Sequence, residues 1–347
     1  MKTNRRAFIA LGAAAATGLV RGQSAEIRRR VQKKDPDPLR DVAPVTDAEL
    51  EAAIKTLEET TLRDEEARAA AYPVIQRAID RMEFDVSFKD AIREASPAKK
   101  VAAALAKFPV LRWYDRAFDR VAEQLVRTKV EGDRPAIWYL YNMGLVVKTK
   151  SCTFGIDICH RKAPALAQHL DFLLTTHNHG DHYNMLLHKK MGAQKKPVLS
   201  NFFLLRGWYC REMEKTFKIK DVTVHCTAAD HNKQLPWAVT TYEVVCGEGP
   251  GAFSIFHSGD CNRADHLKPR GKPDIYFGHC AIGLDFMEAA KNTMPAGMYI
   301  PLHHQELGHL GGQWRCVAFE DEPLKIVRAL RDAGYKSYMP VWGDRIV

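Results

Sequence analysis

Several things are missing from this chain of 347 residues, and each omission closes off a class of protein. Its eight cysteines (152, 159, 210, 226, 246, 261, 280 and 316) include no C-x-x-C pair, so neither a zinc ribbon nor a dithiol redox motif is supported. Cys152 and Cys159 bracket one expected strand. Extended chain at ~3.3 Å per residue puts them over 20 Å apart, too far for a disulfide. Buried free thiols are the expectation for most of the eight. No basic stretch is interleaved with aromatic residues in the manner of nucleic-acid binders. The formal charge is +9, of which Lys2, Arg5, Arg6 and Arg21 supply four before residue 26, leaving a mild +5 for the remainder. There is no internal repeat and no low-complexity segment. The apolar content is that of an ordinary globular protein, enough for one large domain with an appendage or for two domains.

The N-terminus reads as an export signal. Asn4-Arg5-Arg6-Ala7-Phe8-Ile9 resembles the twin-arginine motif. The apolar run that follows, residues 7–20, is shorter than the roughly 20 residues that a membrane span needs. Gly22-Gln23-Ser24-Ala25 offers small residues for cleavage, and Arg21 beside them suits the twin-arginine route. No cysteine follows the run, which argues against a lipid anchor. The expectation is a signal peptide over 1–25, export of the folded protein by the twin-arginine machinery to the periplasm or beyond, and no stable membrane span after cleavage. An uncleaved anchor is the alternative.

Residues 26–45 are charged and contain Pro36, Pro38 and Pro44, a linker without a core of its own. A Thr46-x-x-Glu49 capping box then opens a helix with Leu50, Ile54 and Leu57 at helical spacing. A second helix is expected over 64–82, interrupted or restarted at Pro73. Further starts are expected at Ser87 and at Ser96-Pro97, the latter as a serine cap. Tyr114, Phe118, Val121 and Leu125 mark a last amphipathic helix. Residues 46–128 thus form a helical region of four or five helices without a catalytic constellation. It is expected to be a packing appendage rather than a lid or a dimerisation arm. After a boundary at 129–135 the pattern changes to short strands, at 136–141, 145–148, 153–158, 172–174, 197–200, 222–226, 239–245, 253–256, 275–277 and 298–301. Helices are expected at 164–169, 183–190, 285–292 and 323–333. Many strands with helices between them indicate an α/β layered fold over 136–347.

The chemistry concentrates where strands end. His177, His179, Asp181 and His182 fall within six positions after the strand at 172. His177 and His179, two apart, face one side if extended, and Gly180 is expected to turn the chain sharply. His231, Asp260 and His303 each follow another expected strand. Imidazole and carboxylate are the donors that suit zinc and its neighbours, and no structural need calls for such a cluster.

The set resembles the metallo-β-lactamase superfamily, and within it the branch of L-ascorbate-6-phosphate lactonase-like and N-acyl phosphatidylethanolamine phospholipase D-like hydrolases. The resemblance covers about residues 136–347. It is carried by Tyr141-Asn-Met-Gly144, Gly155-Ile-Asp157, Thr176-His-Asn-His-Gly-Asp-His182, Ala229-Asp-His231, Ser258-Gly-Asp260, Ile282-Gly283 with Met287-Glu-Ala289, and Pro301-Leu-His303. It implies a four-layer αβ/βα sandwich with two divalent ions at one edge. His177, His179 and His231 would hold one ion, Asp181, His182 and His303 the second, and Asp260 both. It implies a hydrolase of a small ester, lactone or phosphodiester, in which a hydroxide bridging the ions attacks and Asp181 steers its proton. Zinc is the default for so many histidines, and Mn or Fe fit the same donors. The partners implied are a small-molecule substrate and the export machinery. No nucleic acid is expected, and an oligomer is left open. The alternatives are a nuclease of the same fold and a metal-binding protein without catalysis. Cys261 is expected to pack rather than ligate. The chain departs from the family pattern at Ala281 and at His279, His304 and His309, extra histidines expected on the rim, where they would bind substrate, donate a proton or simply be exposed. His304 is also an alternative to His303 as ligand.

Overall fold

Strand parity and two tight turns set the architecture. The computed structural model describes residues 44–347 except 81, 83–85, 93–95, 204–207, 211–212, 281–282, 294–295, 305–306 and 308–322. The expected signal, most of the linker, Ala281, Ile282, His309 and Cys316 lie outside the described residues. Among the described residues, no helix is long and apolar enough to cross a membrane.

Ala136–Tyr141 (β1) and Gly144–Lys148 (β2) form an antiparallel hairpin. Its turn puts Asn142 at a left-handed φ of 57°. A Cβ on Gly144 would meet the Tyr141 carbonyl at 2.8 Å, so only glycine fits there. Thr153–Ile156 (β3), Phe172–Thr175 (β4) and Val198–Ser200 (β5) complete a five-stranded sheet in the order β1-β2-β3-β4-β5. The second sheet has six strands: Glu214–Ile219 (β6), Val222–Ala229 (β7), Val239–Cys246 (β8), Phe253–His257 (β9), Ile275–His279 (β10) and Met298–Leu302 (β11). Their order is β11-β10-β9-β8-β7-β6. Both sheets are mixed, parallel where helical connections intervene and antiparallel where hairpins do.

The two faces of the second sheet bury different clusters. Ile275, Phe277, Met298, Ile300 and Leu302 belong to the large core shared with the first sheet. Tyr276 and Tyr299, one position out of phase, belong to a smaller cluster with Phe286, Ala289 and Leu330 from helices Phe286–Asn292 and Pro323–Asp332. Period-two alternation therefore separates an inner from an outer face. On the first sheet, helix Met185–Ala193 packs alongside β4 and β5, and the 3₁₀ segment Ala163–Gln168 packs against that helix. The result is the expected four-layer αβ/βα sandwich. The Tyr242 hydroxyl donates across it to the Thr175 carbonyl at 2.8 Å.

Several local expectations need correction. The region 64–82 holds two helices, Glu65–Ala69 and Ala71–Asp80, with Pro73 in the first turn of the second. Ser96 does not cap helix Ala98–Lys107, because its hydroxyl bonds Asp90 instead, at 3.5 Å. The helix expected from 183 starts at Met185, capped by Asn184. The helix expected over 164–169 is 3₁₀. β6 is a polar edge strand with mostly exposed or half-buried residues, which hides it from an apolar pattern.

The helical region does more than sit against the sandwich. Its long helix, Val110–Arg127, buries Tyr114, Phe118, Val121 and Leu125, and the region shares the main core. Arg68, fully buried, donates to both carboxylate oxygens of Asp344 at 2.7 and 2.9 Å and to the carbonyls of Leu57 and Thr60. Asp344 lies in the C-terminal segment that runs beside β1, where the Tyr139 amide donates to its carbonyl. Breaking one side of such a pair costs about 3–5 kcal/mol, because the other charge stays buried. Seven cysteines are described and none forms a disulfide.

Candidate metal centre

Every residue singled out for ligation arrives at one edge of the sandwich. β4 ends at Thr175 and delivers His177, His179, Asp181 and His182. β7 ends at Ala229 and delivers His231. β9 leads to Asp260, and β11 to His303. Gly259 makes the approach of Asp260 possible: at φ 52°, its would-be Cβ meets Thr176 and Val239 at 2.8 Å. Gly180 does not play the part expected of it. Its φ is not left-handed and nothing lies within 4 Å of its would-be Cβ, so the turn there needs no glycine.

Among the described residues, three groups of donor atoms each lie within 4.8 Å of one another: His177, His179, His231 and Asp260; Asp181, His182 and His303; and Asp260, His279 and His303. Asp260 stands between the first two. Its Oδ1 lies 3.0 Å from His182 Nε2, and its Oδ2 lies 3.5 Å from His177 Nε2 and 3.4 Å from His231 Nε2. His303 Nε2 is 3.1 Å from Asp181 Oδ2.

His303 is set by the backbone rather than by strand alternation. It leaves β11 at a left-handed φ of 65°, and its amide donates to the Asn142 carbonyl at 3.0 Å. Asn142 in turn donates through Nδ2 to the Asp181 carbonyl at 2.9 Å and to its carboxylate at 3.2 Å. Two left-handed non-glycine residues thus meet at the site, the sort of backbone cost that functional sites retain. His304 is fully buried, its ring 5.6 Å from that of Tyr139, so it is not an exposed rim residue, and among the described residues it joins no donor group.

His279 also contradicts the expectation of a rim. It is fully buried, 3.4 Å from Asp260 Oδ1, with its ring stacked 4.0 Å from that of His303. The clue was available in the sequence. Ile275 and Phe277 are inward-facing, and His279 continues their parity at a strand end. Cys261 packs in the outer cluster, its thiol pushed up by burial to about 12, and joins none of the donor groups.

A buried carboxylate outside the donor groups orients them. Asp157, at a left-handed φ of 47°, accepts from the Thr176 amide at 2.8 Å and hydroxyl at 2.7 Å, and from His182 Nδ1 at 2.9 Å. Thr176 Oγ1 is then left to accept from His177 Nδ1, at 3.0 Å. Both rings are thereby held in the tautomer that frees Nε2. His231 differs. The amide nitrogen of Asn232 lies 3.1 Å from its Nδ1, so freeing His231 Nε2 requires that amide to turn over.

The electrostatics are those of a site short of positive charge. Burial and neighbouring imidazoles push His177 well below its ordinary value, His179 down to about 4 and His279 to about 3, so all three are neutral. Burial alone would raise Asp260, but His182, His279, His303 and His177 outweigh it and hold the carboxyl ionised. Burial likewise opposes charge on His182, and Asp260, Asp181 and Asp157 overcome it, pushing that imidazole well above its ordinary value. Among the described residues, His177 Nε2, His182 Nε2, His231 Nε2 and Asp260 Oδ1 are buried without a hydrogen-bond partner. Neutral imidazoles and ionised carboxylates, with the cationic imidazole of His182 held by three carboxylates, are a donor set in which a divalent cation would replace the proton on His182.

No protein-family model and no curated protein matches the chain. Among solved structures it is similar to a metallo hydrolase from the hyperthermophilic archaeon Ignicoccus hospitalis, at 15% identity over 61% of this chain and 97% of that one, with a TM-score of 0.46. It is similar to a diiron β-hydroxylase from Streptomyces venezuelae, at 14% identity over 76% and 61%, with a TM-score of 0.43. It is similar, too, to an isothiocyanate hydrolase from Delia radicum gut bacteria, at 15% identity over 61% and 98%, with a TM-score of 0.40. Likenesses this slight leave the chemistry to the site's own geometry.

Proposed function

We propose that the chain is a metal-dependent hydrolase of the metallo-β-lactamase superfamily, holding two divalent ions and acting on a small ester, lactone or phosphodiester. The observation that carries this is Asp260, which stands among the site's imidazoles, its Oδ1 near His182 and His279 and its Oδ2 near His177, His231 and His303. His177, His179 and His231 would hold one ion, Asp181, His182 and His303 the other, and Asp260 both. Such ions supply Lewis acidity and make water nucleophilic near neutral pH. Zinc is the default, and Mn or Fe suit the same donors.

The chain's own residues do the rest. Asp157 and Thr176 orient His182 and His177. Asn142 fixes Asp181, whose carboxylate is ionised because His182 and His303 outweigh the effect of burial, and which would steer the proton of the attacking water. Trp237 and Leu235 lie exposed on the loop after His231, where an apolar part of a substrate would meet them. Elemental analysis followed by a panel of lactones, esters, phosphodiesters and RNA tests the assignment. Two ions and turnover of a small ester, lactone or phosphodiester support it. Turnover of RNA alone would make it a nuclease, and bound metal without turnover a metal-binding protein.

The twin-arginine reading of residues 1–25 places this activity in the periplasm or outside the cell. Changing Arg5→Lys and Arg6→Lys together should leave the precursor in the cytoplasm, and unchanged delivery would contradict that route.

A further inference from the structure

We propose that His279 is itself a metal ligand, joining the ion on the His182 side of Asp260. The proposal rests on the two-ion reading of the site and adds a donor to it.

Sequence parity brings His279 to the centre. Ile275 and Phe277 face the inner core from β10, and His279, last in the strand, pairs with Leu302 immediately before His303. The two histidines are therefore delivered by adjacent parallel strands to the same edge. Their rings lie 27° from parallel, with centroids 4.0 Å apart, as for two imidazoles approaching one point side by side.

The distances place His279 on one side of the bridging carboxylate. Asp260 Oδ1 has His182 Nε2 at 3.0 Å and His279 Nε2 at 3.4 Å. Asp260 Oδ2 has His177, His231 and His303 at 3.5, 3.4 and 3.7 Å. Donors bound at ~2.1 Å to one ion stand about 3.0 Å apart at octahedral angles and about 3.4 Å apart at tetrahedral ones. His182 and His279 both meet that spacing from the same oxygen. A donor atom from each of Asp260, His279 and His303 also falls within 4.8 Å of the other two.

The consequence concerns the ion. His279 groups with Asp260 and His303, and His303 groups in turn with Asp181 and His182. An added imidazole raises the number of protein donors beside Asp260 above the seven expected ligands, and iron and manganese accept more N/O ligands than tetrahedral zinc does.

The full chain loaded with Co²⁺ provides the test. Each ligating imidazole contributes one solvent-exchangeable, paramagnetically shifted N–H resonance in the proton NMR spectrum. His177, His179, His182, His231, His279 and His303 should give six in the wild type, and His279→Ala should remove one. Affinity for the second Co²⁺ should fall by more than the roughly 100-fold that losing an orienting partner costs. His279→Gln, which keeps a hydrogen-bonding group beside Asp260, should not restore it. Five resonances in the wild type and no loss in His279→Ala would overturn the proposal, as would full rescue of affinity by His279→Gln. The wild-type spectrum needs no variant to fold. Fewer than two Co²⁺ bound by the wild type would instead overturn the two-ion reading beneath it.

Discussion

Asp157 holds His182 by a 2.9 Å hydrogen bond between two groups that are both wholly buried. The same carboxylate fixes Thr176, and through it His177, so one side chain orients an imidazole in each expected metal site. Loss of an orienting partner typically costs 10–100-fold in metal affinity. Asp157→Asn should therefore weaken both ions by about that factor while keeping the fold. Titration against a chelator measures it. Weakening of one ion only, or of neither, would show that Asp157 does not orient both imidazoles.

His303 and His304 are adjacent and point to opposite environments. His303→Ala should lose metal on the Asp181 side and lower turnover by several orders of magnitude. His304→Ala should keep both ions, because the ring packs beside Tyr139 and, among the described residues, joins no donor group. Metal stoichiometry and turnover of the two single variants decide it. Loss of metal in His304→Ala alone would mean that the chain after Pro301 is shifted by one residue.

A pH dependence of stability arises away from the site. His160 is buried with its ring stacked on Tyr114 at 3.9 Å and on Phe118 at 4.4 Å. Burial holds it well below its ordinary value, so the folded chain leaves it neutral while the unfolded chain protonates it below about pH 6.5. The unfolded state then binds more protons, and stability falls as pH drops through that value, by up to ~1.4 kcal/mol per pH unit from this residue. His160→Phe should flatten the denaturation midpoint against pH between about 6.5 and 5 by one proton's slope. An unchanged slope would contradict it.

What the sequence made legible depended on local pattern. The strands that bury large aliphatic residues, such as Phe172 to Leu174, announce themselves, as do ligands placed at strand ends. β6 did not, because its edge position leaves Glu214, Thr216 and Lys218 in solvent. The orienting role of Asp157 needs Thr176 and His182 brought to it by the parallel pairing of β3 with β4, which composition does not encode. Arg68 reads as an ordinary helix surface residue until the C-terminal segment, 276 residues on, supplies Asp344. His279 was within reach of the parity argument but not of a family pattern that places no histidine there. The conformation of His303 was not legible, since a left-handed turn rather than extended alternation aims it.

Metal content tests most directly whether His177, His179, Asp181, His182, His231, Asp260 and His303 form a two-ion centre. Inductively coupled plasma mass spectrometry on the purified chain should find two divalent ions per chain. In His177→Ala with His179→Ala, the ion on that side should be absent and hydrolysis abolished, with the fold intact by circular dichroism. A double variant that keeps the wild-type metal content would contradict the assignment of the site.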